Sequence, residues 1–269
     1  MIFAEVIGDP IAQTKSPAIH KAWLAELGLE GDYRATRVAP DELAAFLAQR
    51  RTDPDWRGCN VTIPHKEKVL PLLDHVDPGA AAIGAVNCIL PGPDGLTGRN
   101  TDIDGVAAAL AGLDLQSRKV AVIGAGGGAR AAIRYLLDAG ATIDILVRDP
   151  NKAAHFASDR VHILPLADAD TAFKGASAIV NASPMGMSGA ADMPPALLAS
   201  IAAHAQGKTL FDMVYKPLET PFLAAGRING ATCVDGLTML IGQAKAAFRL
   251  FFGHDAAADD ESLRRFLTA

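Results

Sequence analysis

The stretch KVAVIGAGGGARAAI, residues 119–133, decides the reading of this chain. Five strand-forming residues run into a cluster of glycines, and an alanine-rich helical run follows. Gly124, Gly126 and Ala129 fall on the pattern G-x-G-x-x-[G/A]. The first glycine permits a tight turn, the second lets a pyrophosphate approach the backbone, and the small third position lets the helix pack on the strand. A helix N-terminus there adds unpaired N–H groups and partial positive charge. Gly124, Ala125, Gly126, Gly127, Gly128 and Ala129 are therefore the expected phosphate cradle of a dinucleotide. The alternative is a tight turn that binds nothing.

The next strand, residues 142–147, ends at the position that selects the cofactor. An acid there would hold the ribose 2′-hydroxyl of NAD, and an arginine would suit the 2′-phosphate of NADP. The sequence reads Val147-Arg148-Asp149-Pro150-Asn151-Lys152. Arg148 and Lys152 supply cations, and Asp149 before Pro150 reads as a helix N-cap rather than a ribose ligand. NADP(H) is the cofactor this favours.

Further strands are expected at 161–164, 178–181 and 208–212, with helices between them. That alternation implies a parallel sheet with right-handed crossovers. A long helix is expected over 235–252, with Leu237, Leu240, Ile241, Ala244 and Phe248 on one stripe. The first third alternates as well. Strands are expected at 2–8, 33–38, 57–63, 85–90 and 96–100. Helices are expected from Ser16-Pro17 (N-cap and first turn) to Gly28, from Pro40 onward, and from about His65 to Leu73.

The formal net charge is −5, which argues against nucleic acid and acidic membrane as partners, since both need a basic face. No apolar run reaches the ~20 residues of a membrane helix, and the N-terminal MIFAEVIGDP does not read as a signal peptide. Cys59, Cys88 and Cys233 form no Cys-x-x-Cys pair and read as reduced structural thiols of a cytoplasmic protein. No metal site is expected.

Three stretches concentrate small polar side chains at strand ends: Gln13–Pro17, Cys59–Lys66, and Ala85–Cys88 with Asn100-Thr101-Asp102. Ligands of open α/β sheets bind outside the carboxyl ends of strands, and hydroxyls and amides suit a hydroxyl-rich substrate. Each stretch also has an ordinary reading. Ser16 and Asp102 could be helix caps, Asn60 and Thr62 edge-strand polar positions, and Lys66 a solvated lysine.

The order GDPIAQTKSPAIH (8–20), GCNVTIPHKEKV (58–69), AVNCI (85–89), GRNTDIDG (98–105) and GAGGGARAA (124–132) resembles the shikimate dehydrogenase family. NASPMGM (181–187), DMVYKP (212–217) and DGLTMLIGQA (235–244) agree with it. The resemblance implies two α/β domains with a cleft between them. The first is a substrate domain, residues 1–101 completed by 237–269; the second is a Rossmann-like doubly wound cofactor domain, residues 102–236. It implies reversible, NADPH-dependent reduction of 3-dehydroshikimate to shikimate in aromatic amino acid biosynthesis, by a monomer or homodimer. Lys66 and Asp102 would be the catalytic pair. Thr14 and Ser16 would hold the substrate carboxylate. Asn60, Thr62, Asn87 and Gln243 would bind ring hydroxyls, and Tyr215 would contact the substrate. Met213 and Gly236 would face the nicotinamide.

The chemistry is consistent with those residue types. Oxidising a secondary alcohol removes a hydride from carbon and a proton from oxygen, and the protein must manage the proton. A lysine hydrogen-bonded to the reacting oxygen stabilises charge there and transfers the proton. Two departures from the family pattern stand out: Thr14 replaces a usual serine, and Val147-Arg148-Asp149 replaces Asn-Arg-Thr. A quinate/shikimate dehydrogenase using NAD is the near alternative. A non-catalytic NADP-binding regulator is the alternative of another class, and it would be expected to lose Lys66 or Asp102.

Overall fold

The computed structural model describes residues 1–256 and 259–268. The chain divides into two units, residues 1–104 with 241–269, and residues 105–240. The division falls inside two helices, not at the expected 101/102 and 236/237, because continuous helices run through both crossing points.

In the first unit β1 (Phe3–Gly8), α1 (Ser16–Glu26), β2 (Asp32–Arg37), α2 (Leu43–Arg50) and β3 (Trp56–Val61) alternate as expected. They are followed by β4 (His75–Val76), α3 (Pro78–Ile83), β5 (Cys88–Gly92), β6 (Gly95–Arg99) and α4 (Asp102–Ala109). The sheet order is β2-β1-β3-β5-β6-β4. β1 pairs in parallel with β2 and β3, whereas β5 runs antiparallel to β3 and β6. β1 is buried on both faces, which explains its nearly continuous apolar run. Phe3 and Ile7 join a core with Leu43, Leu47 and Trp56; Ala4 and Val6 join one with Tyr33, Ala247 and Phe251. Glu5 is the polar exception. It is fully buried, paired with Arg50 at 2.6 Å and hydrogen-bonded by Thr36.

Several local expectations are corrected. Residues 65–73 form no α-helix. Val69 makes one helical turn to His65, and Leu70–Leu72 is 3₁₀. Pro71 has no N–H to continue the ladder and disfavours α backbone at Leu70. Ser16 is the first residue of α1 rather than its cap, which is Lys15. α2 starts at Leu43, not Pro40, after a turn in which the Glu42 carboxylate accepts from the Ala39 N–H. α3 and β4 escaped the sequence reading because each is short.

The second unit contains β7 (Lys119–Ile123), α5 (Gly127–Asp138), β8 (Thr142–Val147), α6 (Pro150–Ala153), β9 (Val161–Pro165) and α7 (Ala169–Phe173). It continues with β10 (Ala178–Asn181), α8 (Pro195–His204), β11 (Thr209–Asp212), α9 (Pro221–Ile228), β12 (Thr232–Val234) and the start of α10 (Gly236–Phe252). All pairings are parallel, in the order β12-β11-β10-β7-β8-β9. The winding reverses between β7 and β10, the switch point at which doubly wound sheets bind ligands. The later part of α10 belongs to the first unit, where Ala247 and Phe251 face the Ala4–Val6 side of the sheet. α11 (Asp260–Thr268) follows and buries Leu263 and Leu267.

Candidate active site

In the first unit the carboxyl ends of β1 and β3 meet closely. A side chain at Gly8 would put its Cβ 2.5 Å from Thr62 Cγ2 and 2.9 Å from the Ile63 carbonyl, so only glycine lets the two strand ends approach. Thr62 N–H donates to the Ile7 carbonyl at 2.9 Å, which holds Thr62 beside that end. Thr14 and Ser16 follow β1 as a local pair. Thr14 Oγ1 donates to Ser16 Oγ at 3.2 Å and accepts from Ser16 N–H at 3.3 Å.

Lys66 and Asp102 are in contact. Lys66 Nζ lies 2.5 Å from Asp102 Oδ2, with side-chain exposures of 24% and 8%. The lysine is open enough to meet a substrate while its carboxylate partner is nearly enclosed. Asp102 is not a cap. It lies inside the first turn of α4, and Asn100 Oδ1 accepts its backbone N–H at 3.0 Å. Its second oxygen accepts from Asn87 Nδ2 at 2.9 Å. Asn87 also donates to Thr101 Oγ1 at 3.1 Å and accepts from the Thr101 N–H at 2.7 Å. Both amide hydrogens of Asn87 are thus spent on the turn that carries Asp102. Asn60 extends the chain of bonds, since its Nδ2 donates to the Asn87 carbonyl at 3.1 Å.

Lys66, Asp102, Asn87 and Asn60 therefore form one hydrogen-bonded network, and Thr14 with Ser16 a second pair. Gln243 is partly buried on α10. Tyr215 belongs to the second unit, on the segment after β11, where burial raises its phenol above the usual value. Sequence reading placed Asn100 and Thr101 only in a polar cluster and gave no role to Gly8 or Tyr33. Only the close strand ends and the side-chain bonds expose them.

In the second unit Gly124 closes the turn after β7 with φ +106°, a conformation that favours glycine. A Cβ there would stand 3.1 Å from backbone atoms of Ala182 and Ser183 after β10. At Gly126 and Gly127 an added Cβ would meet nothing within 4 Å, so the backbone faces open space. Gly126 caps α5 without a side-chain hydrogen bond. The first-turn N–H groups of a 12-residue helix are thus left for an anion. Met213 Sδ lies 3.0 Å from the Cβ position of Gly128. The Cβ position of Gly236 lies 2.4 Å from the Met213 carbonyl, so Met213 sits against both glycines. Asp212, directly before it, is fully buried and accepts from Val214 N–H, Asn181 Nδ2 and Thr220 Oγ1 at 2.9, 2.9 and 2.6 Å. Burial pushes its carboxyl up to about 6.

At the end of β8, Val147 is buried and Arg148 is exposed. Asp149 accepts the Asn151 N–H at 3.2 Å as the N-cap of α6, and Lys152 lies 3.9 Å from it. These residues fit a dinucleotide carrying a 2′-phosphate. The phosphates would lie on the bare glycine backbone, and Arg148 with Lys152 would supply the cations beyond β8.

The class is now defined: an α/β protein with a Rossmann-type dinucleotide unit and a second unit holding a lysine–carboxylate pair among hydroxyls and amides. Residues 6–89 match the shikimate dehydrogenase substrate binding domain, and residues 236–260 the shikimate 5′-dehydrogenase C-terminal domain. The NADP⁺ shikimate dehydrogenase of Sphingopyxis alaskensis is 47% identical over 99% of this chain and 97% of its own. That of Acidiphilium cryptum is 39% identical over 97% and 94%. The Thermus thermophilus shikimate 5-dehydrogenase, solved with NADP(H) and shikimate, superposes with a TM-score of 0.85 at 35% identity, covering 98% and 99% of the two chains. The Listeria monocytogenes enzyme, solved with shikimate and NAD, gives 0.88 at 27% identity, covering 99% and 96%. The chain belongs to the shikimate dehydrogenase family.

Among the described residues no helix is long and apolar enough to cross a membrane.

Proposed function

We propose that this protein is a shikimate dehydrogenase that interconverts 3-dehydroshikimate and shikimate with NADP(H). The observation that supports this most is the direct Lys66–Asp102 pair, in a chain that matches relatives of that name from end to end. Bound NADP(H) supplies the hydride acceptor or donor. The residues of the chain manage the proton. Lys66 hydrogen-bonds the reacting oxygen, gives it a proton during reduction and takes the proton back during oxidation. Asp102 orients the ammonium and shares the charge, and Asn87 holds Asp102. Thr14 and Ser16 hold the carboxylate, Asn60, Thr62, Asn87 and Gln243 the ring hydroxyls, and Tyr215 a further face of the substrate.

Gly124–Ala129, Met213 and Gly236 form the cofactor side, with Arg148 and Lys152 on the 2′-phosphate. The occupation of Asp149 as a helix cap supports NADP over NAD, since an acid spent on Asn151 N–H is a poor ribose ligand. Two buried, free cysteines, Cys59 and Cys88, suit a reducing compartment, and we place the protein in the cytoplasm as a monomer or homodimer.

An assay matrix tests this directly: shikimate and quinate, each with NADP and NAD, followed at the reduced-nicotinamide absorbance. The expected result is highest kcat/KM for shikimate with NADP. Higher kcat/KM for quinate with NAD would favour the quinate-type enzyme. No turnover in any pairing would overturn the enzymatic reading.

A further inference from the structure

We propose that Tyr33 is a positioning residue that holds the Asn60 amide, in the orientation set by its bond to the Asn87 carbonyl, at a fixed angle toward the substrate. The inference rests on the reading of Asn60 as a substrate residue.

Tyr33 stands on β2 and Asn60 on β3, with β1 between them. Opposite Tyr33 on β1 is Ala4, and opposite Asn60 is Val6. Both belong to the same buried cluster as Tyr33, so the ring reaches across a strand whose side chains are small or slender there. Its hydroxyl comes 2.6 Å from Asn60 Oδ1. His20 stacks on the ring at 3.9 Å between centroids and 6° between planes, and Phe251 packs at 6.3 Å. Tyr33 is fully buried and cannot swing away.

The donors and acceptors settle the orientation. The Asn87 carbonyl can only accept, so the Asn60 atom facing it at 3.1 Å is Nδ2. Oδ1 therefore faces Tyr33, and the phenol donates. Burial pushes that phenol well above its usual value, so the proton stays on it at any working pH. One N–H of Asn60 remains, with one lone pair on Oδ1. Asn60 thus offers a substrate hydroxyl a donor of fixed direction. Without the Tyr33 hydroxyl, Oδ1 loses a partner inside a buried pocket, and the amide is no longer held in register with the Lys66–Asp102–Asn87 network.

Tyr33→Phe keeps the ring and its stack on His20 and removes only the hydroxyl. The KM for shikimate should rise about five- to tenfold, the size of one neutral hydrogen bond. KM for NADP and kcat should stay near the parent values, because Lys66 and the glycine loop are untouched. Deoxy analogues of shikimate, each lacking one non-reacting hydroxyl, separate positioning from general loosening. The Tyr33→Phe penalty should vanish for the analogue that lacks the hydroxyl Asn60 holds and persist for the other. Asn60→Asp, which still accepts from Tyr33 but cannot donate as the carboxylate, should raise the shikimate KM at least as much. An unchanged shikimate KM in Tyr33→Phe, or an equal penalty for every analogue, overturns the proposal. Asn60→Ala with an unchanged shikimate KM removes the reading of Asn60 itself and the proposal with it. A raised KM in Asn60→Ala beside a normal one in Tyr33→Phe removes only the role of Tyr33.

Discussion

In residues 1–104 the candidate substrate residues are side chains that hydrogen-bond one another; in residues 105–240 the candidate cofactor loop is backbone left bare. Lys66, Asp102, Asn87, Asn60 and Tyr33 are joined by hydrogen bonds into one network. Around Gly126 and Gly127 there is open space where side chains would be. The first region selects by chemical groups held at fixed angles, as suits a small molecule with several hydroxyls. The second, on the proposed reading, would recognise phosphate by exposed N–H groups and absence of bulk. Removing a functional group should therefore damage the first region, and adding a Cβ should damage the second.

Asp102→Asn should have the largest effect among changes that test this contrast. It preserves shape but removes the charge beside Lys66, and kcat should fall by about 10²-fold or more, within the range of general acid–base contributions. KM for NADP should not move. Steady-state kinetics in both substrates checks this, and a kcat within a few-fold of the parent would break the network account.

Gly126→Val should come next. Its φ of −82° suits any residue and an added Cβ meets nothing within 4 Å, so thermal stability should fall only by the modest amount of a poorer helix N-cap. NADP binding should weaken by about tenfold or more as the side chain fills the space where phosphate approaches backbone. Titration of NADP by fluorescence, beside a melting curve, separates the two. Loss of stability with unchanged affinity would contradict the assignment.

The smallest effect concerns the packing behind the network. His20 is fully buried, neither ring nitrogen has a partner, and burial lowers it from 6.5 to about 3. Because the folded state resists protonation, stability is fully present above 6.5 and is lost as pH falls from there toward 3. At pH 5 the loss from this one group is about 2 kcal/mol. His20→Phe should flatten the fall in Tm between pH 7 and pH 5. An unchanged slope would show that other groups set the acid stability.

The second unit was legible in the sequence because its cofactor motif is local and its strand–helix alternation is regular. Residues 142–147 and 178–181 appear as strands at the expected positions, and 119–133 folds as strand, turn and helix. Asp149 caps α6 as its place before Pro150 implied. The first unit was legible in its polar clusters but not in their wiring. Asn87 was read as a substrate ligand, and its bonds to Thr101 and Asp102, which tie it to the catalytic pair, could not be read from sequence. Tyr33 looked like any strand aromatic, since its hydroxyl meets a residue 27 positions away. The helix expected over 65–73 failed because an apolar run with Val69, Leu70 and Leu72 carries Pro71 in its middle.

The most direct test is Lys66→Ala, measured for turnover of shikimate with NADP and for binding of NADP. The account predicts a fall in kcat of roughly 10²- to 10⁴-fold, a modest change in shikimate KM, and unaltered NADP binding. A kcat near that of the parent would contradict it, because no other residue of the network could then be said to depend on Lys66 for the proton.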